Sequence, residues 1–266
     1  FVILIFAFLL KEGISFFKEI SFPKFIGGRY WYPISEPPQF GILPLILGSL
    51  MVTLGAIIVS VPLSIAAAFY ISEVAPLKIK DILKAGIEML AAIPSVVLGF
   101  IGMVTLVPWL KKAFHLPTGL TALSGSIMLG LMAMPTIISI SEDAINAVPK
   151  SYKEGALALG ATRWQAMYRV IIYAAMPGII AATMLGIGRV IGETMAVMMI
   201  TGNAAVIPHT FLQPVRTLTA TIAAEMGETV HGSMHYYSLF GIGIILFVIT
   251  FVINFTADIF LHRNRR

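Results

Sequence analysis

The sequence predicts an all-α, polytopic membrane protein with about six transmembrane helices, the first of them truncated. Composition is the first observation: 58% of the residues are hydrophobic and only 12% are charged, with a mean hydropathy of +0.92. A soluble domain of 266 residues rarely carries so few charges. The second is the recurrence of apolar stretches long enough to span a bilayer. The third is that no segment alternates at the strand period over enough length to suggest a barrel.

Taken in order, Phe1 to Leu10 is already apolar, with no initiating Met and no basic region before it. It reads as the remnant of a first span rather than as a signal peptide, and with the outer segment that follows it occupies 1–40. Further spans are expected at Gly41–Tyr70, Ile82–Pro108, Gly119–Ile140, Tyr173–Ile200 and Tyr237–His262. They make one transmembrane domain over 41–262, interrupted by a cytoplasmic loop at 142–172 and followed by a basic cytoplasmic tail at 263–266. Pro62, Pro94, Pro135 and Pro177 fall inside spans, as membrane helices tolerate when neighbours re-satisfy the freed backbone. There is no internal repeat and no low-complexity tract.

Orientation follows from the basic residues. A cytoplasmic C-terminus puts Lys78, Lys80, Lys84, Lys150, Lys153, Arg163, Arg169, Arg263, Arg265 and Arg266 inside, against Lys11, Lys18, Lys24, Arg29, Lys111, Lys112 and Arg216 outside. Ten against seven is a modest bias, reinforced by the terminal arginine cluster directly at a helix end. Tyr30-Trp31-Tyr32, Trp109 and Tyr236-Tyr237 are then expected at the outer interface. The net charge of +5 has this membrane explanation, and there is no basic stripe for nucleic acid. With no cysteine, disulfides, thiolate metal sites and thiol nucleophiles are excluded.

Between the fourth and fifth spans lies the best local signal. Ser151-Tyr-Lys-Glu154 has the spacing of a capping box, and Thr162-Arg-Trp-Gln165 repeats it. Gly160 stands between them, where a helix can end in a left-handed residue. Two short helices with an elbow are expected, exposing Tyr152, Leu157, Leu159, Trp164 and Met167. Such an elbow is either a docking element for a soluble partner or an interfacial helix pair lying on lipid.

Inside the fifth span, Gly186-Ile-Gly-Arg-Val-Ile-Gly-Glu-Thr-Met-Ala-Val197 carries Arg189 and Glu193 four residues apart. On a continuous helix they share one face, one turn apart. An ionisable group at membrane depth costs about 2.5–3.5 kcal/mol on insertion scales, so it marks a functional site by default. The alternative is a salt bridge that merely lets two charges be inserted. Gly188 and Gly192 form a Gly-x-x-x-Gly step beside them, which permits a close backbone approach within the bundle or, preferably, to a second subunit. Weaker signals are His231 and His235 with Glu225 and Glu228, read as a solvated loop face rather than a metal site. Glu142-Asp143, Asn254 and Asp258 read as ordinary polar helix ends. The Phe22–Tyr32 stretch reads as an interface anchor, with contact to an extracytoplasmic binding protein as the alternative.

Glu154-Gly-Ala-Leu-Ala-Leu-Gly160-Ala-Thr-Arg-Trp resembles the Glu-Ala-Ala…Gly loop of binding-protein-dependent ABC importer permeases. In that family the loop forms the coupling helix that enters a cleft on the ATPase subunit. Gly155 departs from the pattern in place of the first Ala, and Tyr173 stands where a Pro is usual, with Pro177 following. Arg189-Val-Ile-Gly-Glu193-Thr-Met-Ala-Val, Ile93-Pro-Ser-Val-Val-Leu-Gly-Phe100 and Thr217-Leu-Thr-Ala-Thr-Ile-Ala-Ala-Glu225 are similar to the phosphate-specific, PstC-type permeases. Sulfate and molybdate permeases carry a related Arg-x-x-Gly-Glu element, there usually followed by Phe-Gly rather than Thr194-Met195.

The resemblance implies a MetI-like helical bundle, in a bacterial or archaeal cytoplasmic membrane, that imports inorganic phosphate. It implies a pathway at Arg189, Glu193 and Thr194, and an ATPase-coupling element at Glu154, Gly155, Ala156, Gly160, Ala161, Arg163 and Trp164. The implied partners are cytoplasmic ATP-binding subunits, a second homologous permease subunit, an extracytoplasmic phosphate-binding protein and membrane lipid. The chain has no Gly-x-x-x-x-Gly-Lys-[Ser/Thr] loop, so ATP is expected to be used by the partner, with no cofactor here. Arg189 offers a planar, permanently charged fork for a tetrahedral oxyanion, and Glu193 would hold that fork and keep the anion from binding too tightly. The alternatives are a permease for sulfate or molybdate, and an ion-coupled transporter or channel gated by the same pair. An intramembrane enzyme finds no Ser/His, paired-Asp or His-Glu-x-x-His arrangement in the spans.

Overall fold

The computed structural model describes residues 2–263. Among them, five helical segments are long and apolar enough to cross a membrane: Leu43–Val74, Ser95–Ala113, Ala122–Asn146, Arg163–Gly192 and Met234–Thr256. The element order is α1 (Val2–Phe17), α2 (Phe22–Gly27), β1 (Trp31–Tyr32), β2 (Gln39–Phe40), α3 (Leu43–Phe69), α4 (Leu77–Ala92), α5 (Ser95–Ile101), α6 (Val107–Ala113) and α7 (Ala122–Asn146). It continues through α8 (Lys150–Ala158), α9 (Arg163–Ala166), α10 (Ile172–Gly192), α11 (Met195–Ile200), α12 (Leu218–Glu225) and α13 (Met234–Arg263). Of the basic tail expected at 263–266, Arg263 closes α13 and residues 264–266 lie outside the described residues.

Two expected spans are divided. The one at Ile82–Pro108 breaks at Ile93, which is extended at φ −68, ψ 127 as a residue before proline prefers. The crossing segment starts after Pro94, and α4 before it carries Lys78, Lys80, Asp81, Lys84 and Glu88. The one at Tyr173–Ile200 stops at Gly192, and a separate short helix resumes at Met195. Five-residue π-turns at Gly102–Leu106 and Met167–Ile171 join flanking helices without a loop, and a third at Tyr70–Val74 closes α3, with Ala75 and Pro76 extended before α4.

The chain divides into two compact units. In the first (Phe1–Ala56, Pro94–Leu129, Ile191–Ile253) α1 lies on α13, with Phe6 and Phe247 rings 4.6 Å apart. Phe16, Phe25, Trp31, Phe40, Leu239 and Ile242 are central to its core. Trp31, expected in an interfacial belt, is instead buried, paired across the short β1–β2 hairpin with Phe40. Tyr30 and Tyr32 are exposed and stacked on each other.

The second unit (Ile57–Ile93, Gly130–Val190, Asn254–Arg266) holds α4, α8, α9, most of α10 and the later part of α7. Its core is formed around Ile138, Ile145, Met167, Ile171, Ala175 and Ile179. Here α10 packs on α7 backbone to side chain. A Cβ built on Gly178 would stand 2.3 Å from Ala144 Cβ, and one on Gly186 would stand 2.4 Å from Ile137 Cγ1. The close approach within the chain therefore uses Gly178 and Gly186. Among the described residues, a Cβ built on Gly188 would meet only Asn254 Oδ1, at 3.9 Å, and one on Gly192 would meet nothing within 4 Å.

Candidate functional site: the elbow and the interrupted helix

The elbow forms as two short helices, with one correction to its caps. Thr162 accepts from the Gln165 amide at 3.2 Å while Gln165 Oε1 accepts from the Thr162 amide at 2.9 Å, a complete capping box for α9. Ser151 does not cap α8, because the helix begins at Lys150, after Pro149, which makes Ser151 its second residue. Gly160 has φ +86, the left-handed turn that ends α8. Leu159 is 91% exposed and Trp164 64% exposed, with Tyr152 and Leu157 also at the surface. Met167, expected there, is buried in the core below.

Glu154, Gly155 and Arg163 are exposed, and Ala156 and Ala161 are partly buried. A cleft of about 370 Å³ beside the elbow is lined by Glu73, Asn146, Lys150, Lys153, Glu154 and Leu157, among others. Lys153 pairs with Glu73 of the π-turn after α3, and the Trp164 ring stands edge-on to Phe69 at 6.0 Å. We expect Thr162→Ala to cost the local fold about 1 kcal/mol. The check is hydrogen exchange at the Gln165 amide, which should quicken about fivefold.

Close to this cleft is a cluster whose strength the sequence did not reveal. Glu142, read there as an ordinary helix end, is 2% exposed. It accepts from Lys80 at 3.0 Å, Lys84 at 2.7 Å and Asn146 Nδ2 at 2.8 Å. Asn146 Oδ1 in turn accepts from Ser72 at 2.7 Å. The available signal was the i, i+4 spacing of Lys80 and Lys84 on a helix otherwise too polar to span.

Arg189 lies within α10, and Glu193 stands just past its end, because the helix stops at Gly192. Arg189 is exposed, and its Nη1 donates to Thr136 Oγ1 of α7 at 3.1 Å. Glu193 is half-buried, and its carboxylate accepts from the Ala196 amide at 3.3 Å, satisfying the start of α11. The Thr194 hydroxyl turns back onto the Gly192 carbonyl at 3.2 Å. Polar side chains so close to the backbone compete with helical hydrogen bonds, which is the local reason for the interruption. The Glu193 carbonyl, freed by it, accepts from Thr219 Oγ1 at 2.9 Å.

The Thr217–Glu225 segment is α12 with its cap: the Thr217 side chain accepts from the Ala220 amide at 3.2 Å. Glu225 accepts from Trp31 Nε1 at 3.1 Å to both oxygens and from Arg216 Nη1 at 2.6 Å, and lies 2.8 Å from His235 Nε2. His235 thus faces a carboxylate and the Trp31 ring rather than solvent, while His231 lies against Tyr236.

Residues 60–266 match the family described as "binding-protein-dependent transport system inner membrane component". The probable ABC transporter permease protein YqgH of Bacillus subtilis (strain 168) is 41% identical over 92% of this chain and 80% of its own length. The phosphate transport system permease protein PstC of Mesorhizobium japonicum is 36% identical over 90% of this chain and 78% of its own. Among solved structures, a chain of the inward-facing MetNI methionine ABC transporter superposes with a TM-score of 0.63. It is 17% identical and is covered to 99%, against 86% of this chain, a likeness of fold.

Proposed function

Because the chain belongs to the family of binding-protein-dependent transport system inner membrane components, we propose that it is the membrane-spanning permease subunit of an ATP-driven importer of inorganic phosphate. The observation that carries the coupling is the elbow, whose Leu159 and Trp164 stand exposed at the tip of a capped, pinned turn. Large apolar groups on a built surface mark a partner's docking site. On this reading Glu154, Gly155, Ala156, Gly160, Ala161, Arg163 and Trp164 meet a cytoplasmic ATP-binding subunit, which hydrolyses ATP, and the C-terminus is cytoplasmic. A second, homologous permease subunit and an extracytoplasmic phosphate-binding protein complete the complex.

Phosphate is supported by the sequence likeness to the PstC protein and by the chemistry of Arg189. One of its five N–H donors is used by Thr136, and the remaining ones suit bidentate contact with a tetrahedral oxyanion. Glu193 and Thr194 contribute the polar groups of the interruption to the pathway. Sulfate or molybdate, carried by the same guanidinium chemistry, are the competing cargo.

The test is uptake into proteoliposomes holding the assembled complex with its binding protein. ATP should drive phosphate inward, and sulfate and molybdate should not follow. Gly160→Pro combined with Glu154→Lys should abolish uptake without loss of insertion, since proline cannot take the φ of +86 that Gly160 holds. Undiminished uptake by that variant would falsify the coupling assignment, and uptake without ATP would favour an ion-coupled carrier.

A further inference from the structure

The segment Thr217–Glu225 has no role in the function proposed above, yet polar contacts gather at both of its ends. We propose that Thr219 and Glu225 are positioning residues for transport. On this view α12 is a strut, fixed at Glu225, that sets the interruption after α10 through the Thr219 hydroxyl. The inference rests on the reading that the Glu193 stretch lines the pathway.

The argument begins at the freed carbonyl. Where α10 stops, the Glu193 carbonyl loses its helical donor and needs another, since an unpaired backbone group away from water is costly. Thr219 Oγ1, at 2.9 Å, supplies it. Thr219 is 8% exposed, and its hydroxyl lies 3.2 Å from that of Thr217, the residue capping α12. The interruption is therefore held where α12 puts Thr219.

What holds α12 is at its other end, six residues and about 9 Å further along the axis. Glu225 is bound by Trp31 of the hairpin, by Arg216 ahead of α12 and by His235 at the start of α13. Hydrogen bonds to a carboxylate are roughly twice as strong as neutral ones, and these reach it from three separate parts of the chain. At the near end the Leu218 amide donates to Ser49 Oγ of α3 at 2.9 Å. An α12 pinned in this way cannot slide along its axis without breaking charge-assisted bonds.

The experiment uses the full complex in proteoliposomes at matched incorporation, with phosphate uptake resolved into maximal rate and half-saturating concentration of binding protein. Thr219→Val keeps the shape and removes the hydroxyl, and should lower the maximal rate about tenfold, with little change in half-saturation. Thr219→Ser restores the donor and should return uptake to within about twofold of wild type. Glu225→Gln should lower the rate similarly, and the double variant should be no worse than the poorer single one, because both act through one strut. The chain has no native cysteine, so Thr194→Cys is a single reporter on this chain, and its thiol-labelling rate should change severalfold when Thr219→Val is added.

Near-wild-type uptake and unchanged labelling in Thr219→Val overturn the strut. Should Thr219→Val fail to incorporate, Glu225→Gln decides: impaired uptake supports the strut and normal uptake overturns it. Glu193→Gln reports on the pathway reading separately. Its loss of uptake beside a normal Thr219→Val removes the strut alone, whereas normal uptake in Glu193→Gln removes the pathway reading itself.

Discussion

Arg189→Lys is expected to reduce phosphate uptake by at least about tenfold while leaving insertion and assembly intact. The side chain is exposed, so the substitution leaves no cavity in the core. Lysine keeps the charge and reaches a similar distance, but its ammonium lacks the planar fork that can grip Thr136 and an anion together. Arg189→Ala should abolish uptake. Exchanging the charges, Arg189→Glu with Glu193→Arg, would be tolerated by a helical salt bridge. Here it removes both the guanidinium beside Thr136 and the carboxylate that bonds the Ala196 amide, so it should fail outright. Near-wild-type uptake in a well-incorporated Arg189→Lys complex would show that the residue acts only through its charge or through structure.

The largest effect on stability is expected from Lys80→Met combined with Lys84→Met. Both lysines are partly exposed, at 22% and 40% of their side chains, whereas the Glu142 carboxyl they bind is 3% exposed. Removing the lysines strands a buried carboxylate with Asn146 as its one partner among the described residues. Losing one side of a buried ion pair costs about 3–5 kcal/mol. Adding Glu142→Met should recover most of that loss, because replacing a whole buried ionic cluster by apolar groups is often neutral. Thermal unfolding in detergent, compared across the double and triple variants, checks both halves. A double variant as stable as wild type would mean that water reaches Glu142 and that the cluster is peripheral.

Several elements were legible in the sequence because their causes are local. Spans follow from runs of apolar residues whose length the bilayer sets, and five of them are present with shifted bounds. The Thr162–Gln165 capping box and the left-handed Gly160 depend on residues within one turn of each other. The Ser151 capping box failed because spacing alone does not say where a helix starts, and Pro149 places that start two residues earlier.

The continuous helix expected through Arg189 and Glu193 is interrupted after Gly192. Arg189 and Glu193 stand four apart, but that spacing does not say that the helix stops at Gly192, nor that the freed Glu193 carbonyl finds its donor in Thr219, 26 residues on. Trp31 looked like an interface anchor until Glu225, 194 residues away, gave its indole N–H a partly buried acceptor. Glu142 looked like a helix end until α4 brought two lysines to it. The sequence by itself determined the membrane class, the spans and the elbow, because hydropathy and capping act over one helix turn or one bilayer thickness. Only the tertiary structure decided which polar groups meet, because a buried charge or an unpaired carbonyl takes whatever partner the fold delivers, and nothing in the local sequence says which partner that is.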